Sequence, residues 1–101
     1  MLESLHQESF AQLSDRRFHV PARDAAGFDL LLAAVSGQLQ TRRQEAFSLI
    51  FRGPAQPFLP QGTYHLQNEV LGELDLFLVP IGRREDGYEY EAVFNRLIPQ
   101  E

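Results

Sequence analysis

Short stretches of the chain alternate apolar and polar side chains, the spacing typical of half-buried β-strands. The clearest stretch runs from residue 72 to 82, where Leu74, Leu76 and Leu78 alternate with acidic residues. Pro80 cannot donate a hydrogen bond to a neighbouring strand, so we predict that this end lies at a sheet edge or a β-bulge. We expect the other strands to be arranged around this one.

The opposite face of the same strand becomes apolar beyond Leu76, because Phe77, Val79 and Ile81 occupy its outward positions. A strand that is apolar on both faces is covered on both faces, either by its own fold or by a partner. The next predicted strand, residues 88–94, adds Val93 to this outer stripe. We predict that these residues form part of a partner-binding surface.

The loop between these two strands decides which residues face one another. A two-residue loop at Asp86-Gly87 would direct the leucines and the aromatic residues to opposite faces. We favour a three-residue loop, residues 85–87, because it pairs apolar with apolar residues and opposite charges with each other. It also requires Gly87 to adopt a left-handed conformation. The pairs predicted by this register are Arg84–Tyr88, Arg83–Glu89, Pro80–Ala92 and Leu78–Phe94.

Four more strands are predicted from the same alternation, at residues 17–21, 28–35, 46–51 and 63–67. The second of these could also be helical by propensity, but it is short and lies between a turn ending at Gly27 and Ser36-Gly37. We therefore favour a strand. Residues 22–27, 39–44 and 68–72 are predicted to be turns or loops, and residues 96–101 a tail that leaves the sheet.

A short helix is predicted near the N-terminus. Ser4 and Gln7 have the spacing of a capping box, and Leu5, Phe10 and Leu13 can share one side of a helix that ends near residue 14. A helix of this length must pack on other elements to be stable. It could cover one end of a barrel or the outer stripe, or it could dock on a partner.

Together these elements predict a mainly β fold in one domain, residues 1–101. We expect a six-stranded antiparallel meander that forms a small barrel or a two-layer sandwich, with one short N-terminal helix. Short connections favour antiparallel neighbours and leave no room for crossover helices.

The connection at residues 53–62 contains three prolines and two glycines and is predicted to be stiff and irregular. Phe58 and Leu59 are the large apolar residues within it. They could fold back as a lid on the barrel, or they could be exposed for contact. We include both residues in the predicted partner-binding surface.

Composition narrows the functional classes. The chain of 101 residues has a net charge of −5, and all nine of its basic residues are arginine. This balance disfavours nucleic acid as a partner. No apolar run approaches the ~18–20 residues of a membrane span, and the N-terminus does not resemble a signal peptide. The absence of cysteine excludes disulfides and thiolate sites. We expect a cytoplasmic protein that binds neither membrane nor nucleic acid.

No arrangement of residues predicts a particular reaction. His6, His19 and His65 fall on different predicted elements, without the paired spacing of metal ligands. The acidic pairs Glu73/Asp75 and Glu89/Glu91 each lie on one strand, and no nucleophile elbow or phosphate-binding loop is present. We predict no catalytic residues, no metal site and no cofactor.

Several sequence segments resemble a family of small bacterial domains of unknown function. They are FSLIFRGP at 47–54, LPQGTYHL at 59–66, LGELDLFLVP at 71–80 and YEAVFN at 90–95, and the resemblance covers roughly residues 5–96. It implies no activity and no catalytic residues. Genes of such domains lie near genes of phage-tail-collar-like proteins, which implies an accessory role in a tail-like or surface assembly.

Two functional hypotheses follow. The first is a non-enzymatic interaction or assembly domain that binds a protein partner, or a second copy of itself, through Phe77, Val79, Ile81 and Val93 with Phe58 and Leu59. The second is a small β-barrel that holds an apolar ligand among interior aromatic residues. The residues expected to line that interior are Phe47, Phe51, Tyr64, Tyr90 and Phe94.

Overall fold

The computed structural model of the protein describes residues 7–13, 15–22, 25–40 and 44–97. One short helix precedes six strands. In chain order they are α1 (Gln7–Ala11), β1 (Arg17–Ala22), β2 (Ala25–Gln40), β3 (Gln44–Pro54), β4 (Gly62–Asn68), β5 (Gly72–Arg84) and β6 (Gly87–Leu97). The predicted cap of the helix at Ser4 lies outside the described residues.

The six strands are antiparallel and form a closed barrel in the order β1-β2-β3-β6-β5-β4. This confirms the predicted fold class and selects the barrel over the sandwich. The order is that of two three-stranded meanders, β1–β3 and β4–β6, so the 55–61 connection crosses the end of the barrel. The departure from one continuous meander could not be predicted from local alternation.

Alternation along each strand builds the interior. In β3 buried residues recur at every second position from Glu45 to Phe51, and in β5 the three leucines at 74, 76 and 78 are buried. The buried apolar residues form one cluster, which comprises Phe10, Leu13, Phe18, Val20, Leu30, Leu32, Phe47, Leu49, Phe51, Leu59, Leu66, Leu74, Leu76, Leu78, Tyr90 and Ala92.

Strand β2 is twice as long as the predicted strand at 28–35. Its first part pairs with β1 as far as Leu31, and from Leu31 onward it pairs with β3. Residues 25–27 and 39–40, predicted to be turn or loop, belong to the strand. Pairing with two neighbours along different halves carries the strand through Ser36-Gly37, which we had interpreted as its end.

Helix α1 covers the interior and leaves the outer stripe uncovered. Phe10 is fully buried, and its ring centroid lies 6.0 Å from that of Phe47 and 5.5 Å from that of Phe94. Phe47 and Phe94 are themselves stacked, with centroids 4.7 Å apart. Of the alternatives considered for the helix, the structure selects the one in which it packs on the barrel core.

The connection at 55–61 folds back as a lid. Leu59 is buried among the core residues, and its backbone N–H donates a hydrogen bond of 3.0 Å to the Tyr90 hydroxyl oxygen. Burial raises the pKa of the Tyr90 phenol, while the hydrogen bond from Leu59 partly opposes this. The expectation that Leu59 belongs to an exposed contact surface is wrong, because its side chain contributes to the core.

The predicted β5–β6 register is wrong by one residue next to the turn, at residues 82–84, and by two residues at Val79 and Pro80. Pro80 faces Tyr90 instead of Ala92, a bulge follows at Ile81, and the strands are joined by a two-residue turn. Gly87 does not have a positive φ. Glycine is required at position 87 for lack of space, because a Cβ there would lie 1.9 Å from the carbonyl oxygen of Gly53. At Val79 the shift of two residues preserves which face each side chain occupies, and Phe77, Ile81 and Val93 are exposed, as the outer stripe requires.

The seam between β1 and β4 is closed by one pair of residues, His19 and Gln67. Next to this pair, the buried Asn68 amide nitrogen donates to the carbonyl oxygens of Asp15 at 2.9 Å and Arg17 at 3.0 Å. Its carbonyl oxygen accepts hydrogen bonds from two backbone N–H groups in the β4–β5 turn. One side chain therefore holds both the turn and the barrel seam.

Candidate functional site

The outer side of β5 and β6 presents exposed apolar residues, and we call Phe77, Val79, Ile81 and Val93 the β5–β6 face. Phe77 is 51% exposed, Ile81 48% and Val93 63%, whereas Val79 is half-buried. Phe77 and Val79 alternate on β5 with the buried Leu76 and Leu78. Ile81 lies at the bulge, and Val93 lies opposite Ser48 of β3. The structure thus places four of the six residues predicted to bind a partner on two neighbouring strands.

Phe58 lies apart from the β5–β6 face along the chain, in the lid. Its ring packs edge-on against Tyr88 with centroids 4.8 Å apart, and 45% of the residue is exposed. Tyr88 is opposite Arg83 near the β5–β6 turn. Phe58 is therefore an exposed residue at the turn end of the barrel, and its neighbour Leu59 is buried.

β5 changes partners beneath this face. It pairs with β4 through Gly72–Leu78 and with β6 through Val79–Arg84. Phe77 therefore lies opposite Thr63 of β4, while Val79 lies opposite Glu91 of β6. The face is thus bordered by Thr63 of β4, and Glu91 is a half-buried carboxylate beside Val79.

A histidine lies between two carboxylates beside the β5–β6 face. His65 on β4 places Nδ1 2.8 Å from Asp75 Oδ1 and Nε2 2.7 Å from Glu73 Oε1, both on β5. A neutral imidazole has only one N–H, so both contacts can be hydrogen bonds to ionised carboxylates only when the ring is protonated. The hydrogen bonds to Asp75 and then Glu73 accordingly raise the pKa of His65 above its ordinary value.

A second histidine–carboxylate pair continues this surface across the barrel seam. His19 Nδ1 on β1 lies 2.9 Å from Asp29 Oδ1 on β2. His19 is also opposite Gln67 on β4, and Gln67 is opposite Glu73 on β5. Asp29, His19, Gln67 and Glu73 form one row across neighbouring strands, and His65 joins this row through its contact with Glu73. The row follows an open groove that Asp15 and Glu69 also line.

Our sequence reasoning missed this row because it searched for ligand spacing within single elements. The signal was in the β4–β5 hairpin, where a turn at residues 69–71 sets Asn68 opposite Gly72. Counting back from that turn places His65 opposite Asp75. The i, i+2 carboxylates Glu73 and Asp75 then both reach the same ring.

The arrangement can hold and release a proton at His65, whose two ring nitrogens are both engaged by carboxylates. Within the described part of the chain, no group of three or more histidine, cysteine or acidic residues has the geometry to hold a metal ion. No helix among the described residues has the length and apolarity needed to cross a membrane.

At the far end of β5 the charges are arranged differently. Glu89 Oε2 lies 3.3 Å from Arg84 Nη1 and 3.4 Å from Arg52 Nε. The predicted partner of Glu89 was Arg83, which instead lies opposite Tyr88. The two-residue turn causes this change, because it sets Arg84 opposite Gly87 and therefore Gly82 opposite Glu89.

Comparison with known proteins identifies a family. A search of curated proteins and a search of solved structures each returned no match. A family model does match, from residue 5 to residue 94, which is most of the chain. The chain therefore belongs to the family described as a domain of unknown function, DUF6916.

Proposed function

We propose that the domain is a non-catalytic interaction module that binds a protein partner through the β5–β6 face. The observation that carries the proposal is the exposure of Phe77, Ile81 and Val93 on neighbouring strands of one face. Large exposed apolar residues grouped in this way are typical of protein contact sites, because their burial is favourable by roughly 25 cal/mol per Å².

The packing of the interior favours this proposal over an apolar ligand. Of the aromatic residues expected to line a ligand cavity, Phe47, Phe51 and Tyr90 are buried against other core side chains. The Phe18 ring packs edge-on against Phe51 at 5.2 Å, in the space that a ligand would need. Small six-stranded barrels leave little volume once their inward side chains are placed.

The chemistry of the histidine row also fits a binding role. A general base needs a ring nitrogen that is free to accept a proton, and both nitrogens of His65 contact carboxylates. We accordingly propose no reaction for this protein. As its setting we propose a cytoplasmic accessory role in a tail-like or surface assembly of a bacterium, on the strength of the sequence resemblance.

Site-specific photo-crosslinking in the native cell tests the proposal. A photoreactive phenylalanine analogue at position 77 should give one discrete adduct, whereas the same analogue at position 31 should not. Leu31 is a suitable control because it is 48% exposed on the outside of β2. The partner would be identified by mass spectrometry and its binding measured with purified proteins.

With that purified partner, Phe77→Asp should weaken binding by about tenfold or more, since a central aromatic residue typically contributes over 1–2 kcal/mol. Leu31→Asp should leave the affinity unchanged. Equal crosslinking at the two positions would contradict the proposal, and so would equal loss of affinity in the two variants. Circular dichroism of each variant checks that the fold is retained.

A further inference from the structure

Along the outer side of β5, acidic, apolar and basic residues follow one another in that order. Glu73 and Asp75 come first, the apolar residues of the β5–β6 face follow, and Arg84 ends the strand. All of the charged residues in this series are exposed. The β5–β6 face is therefore bounded along β5 by an acidic end and a basic end.

Among the side chains that contact one another at each end, the charges do not balance. At the basic end, Arg84 and Arg52 share the single carboxylate of Glu89, so these three side chains together carry one positive charge, beside the exposed carboxylates of Glu85 and Asp86 in the turn. At the acidic end, Glu73 and Asp75 share His65, which leaves at least one negative charge in excess. An ionised carboxylate accepts several hydrogen bonds, so Asp75 can contact a further donor without releasing His65.

This order is complementary to itself under a two-fold rotation. We propose that a second copy of this chain binds the β5–β6 face about a two-fold axis beside Val79, an inference that rests on the proposed function. In such an interface each contact occurs twice. The two β5 strands run antiparallel, so that Phe77 lies against Ile81 of the second copy. Because the bulge at Ile81 adds one residue to β5, Asp75 then lies against Arg84 of the second copy.

The opposite orientation is disfavoured by charge. Two parallel β5 strands would place Asp75 beside Asp75 and Arg84 beside Arg84, and like charges brought together at an interface are destabilising. The antiparallel arrangement replaces both repulsions with attractions. An unrelated partner would need its own acidic, apolar and basic residues in the same order along an antiparallel strand. A second copy of this chain has them already.

The size of the face sets the expected affinity. Nine residues separate Asp75 from Arg84, which is roughly 30 Å at about 3.3 Å per residue, and three strands span roughly 15 Å. The footprint is then roughly 450 Å² per copy, compared with about 800 Å² in a standard interface. We therefore expect a weak dimer whose population depends on concentration, with half-association in the micromolar range.

Solution mass measured over a range of concentrations tests the proposal. The wild-type chain should change from the 11.5 kDa monomer toward twice that mass as its concentration rises. Phe77→Asp should remain monomeric, and Leu31→Asp should dimerise as the wild type does. Light scattering after gel filtration measures these masses, and circular dichroism shows whether each variant is folded.

A charge exchange tests the orientation. Asp75→Arg and Arg84→Glu should each be monomeric alone, because each opposes like charges twice. Their equimolar mixture should dimerise, since every pair across the interface is then of opposite sign. His65→Gln is the matched control for Asp75→Arg, because it removes the His65–Asp75 bond but keeps the charge of Asp75, and it should still dimerise.

The outcomes separate this inference from the proposed function. A wild-type chain that stays monomeric up to about 1 mM, far above the micromolar affinities of weak interfaces, would overturn self-association. The proposed function would then stand only if crosslinking at position 77 captures a different protein. A dimer that survives Phe77→Asp would also overturn the inference. If the mixture of the two charge variants stayed monomeric, the antiparallel geometry would be wrong.

Discussion

Replacement of Asn68 by aspartate tests the barrel seam with almost no change in shape. The Asn68 amide nitrogen donates to the carbonyl oxygens of Asp15 and Arg17 at 2.9 and 3.0 Å. In Asn68→Asp a carboxylate oxygen takes the place of this nitrogen, so that two hydrogen bonds become two contacts between oxygens. The other oxygen still accepts from the backbone N–H groups of Val70 and Leu71.

The expected loss follows from these contacts. Each of the two lost hydrogen bonds contributes about 0.5–1.5 kcal/mol of net stability. The carbonyl oxygens that lose these donors cost about a further 1–3 kcal/mol. The stronger, charge-assisted bonds from the turn recover about 1 kcal/mol. We expect the free energy of unfolding to fall by about 1–5 kcal/mol. For a domain of this size that lowers Tm by roughly 4–40 °C.

Urea and thermal unfolding followed by circular dichroism measure this change. Asn95→Asp is the matched control, because Asn95 is exposed and its side-chain oxygen accepts a hydrogen bond from Gln44 that a carboxylate can also accept. It should change stability by less than about 0.5 kcal/mol. The loss of stability caused by Asn68→Asp should be smaller in acid, because a protonated carboxyl group can again donate one hydrogen bond. If Asn68→Asp were as stable as Asn95→Asp at pH 7, the seam would not depend on this amide.

Three further predictions concern other parts of the fold. Gly87→Ala should destabilise the domain by about 1–3 kcal/mol in urea unfolding, because its Cβ would collide with the Gly53 carbonyl oxygen. Leu59→Ala should lower the free energy of unfolding by about 2–5 kcal/mol, and Phe58→Ala should lower it much less, because Leu59 is buried and Phe58 is exposed. An NMR titration should place the pKa of His65 above its ordinary value, and Asp75→Asn should lower it. Because this pKa is raised in the folded state, the stabilisation is present below the unfolded pKa and is lost as pH rises through the folded pKa.

Local alternation was sufficient to predict the strands and their faces. Leu74, Leu76 and Leu78 point inward and Phe77 outward, as a period of two requires. This prediction is robust because each side-chain direction depends only on neighbours in sequence. The mainly β class and the number of strands follow from the same pattern.

Features set by contacts between distant residues could not be predicted in this way. One is the bulge at Ile81, and another is the close approach of Gly87 to Gly53, 34 residues earlier in the chain. Another is the path of the 55–61 lid across the end of the barrel, where Tyr90 accepts a hydrogen bond from Leu59. Sequence alone shows that glycine, proline and tyrosine are present, but not what they approach.

The candidate site was predicted in part for the same reason. Phe77 and Val93 occupy outward positions that alternation predicts, and both are exposed, as is Ile81 at the bulge. Leu59 was misplaced because a loop has no period from which burial can be inferred. The contacts of His65 were missed because they join two strands through a hairpin register.

The fold itself does not account for the apolar residues of the β5–β6 face. Phe77 alternates with Leu76 and Leu78, which fill the interior, so a threonine in its place would leave every core contact intact. Threonine also has a high β propensity, and it would remove exposed apolar area that favours aggregation. The same reasoning applies to Val93, which lies between the buried Ala92 and the half-buried Phe94. As proposed above, contact with another surface would explain apolar side chains that barrel stability does not require. In that proposal the acidic and basic ends of β5 restrict which surfaces fit.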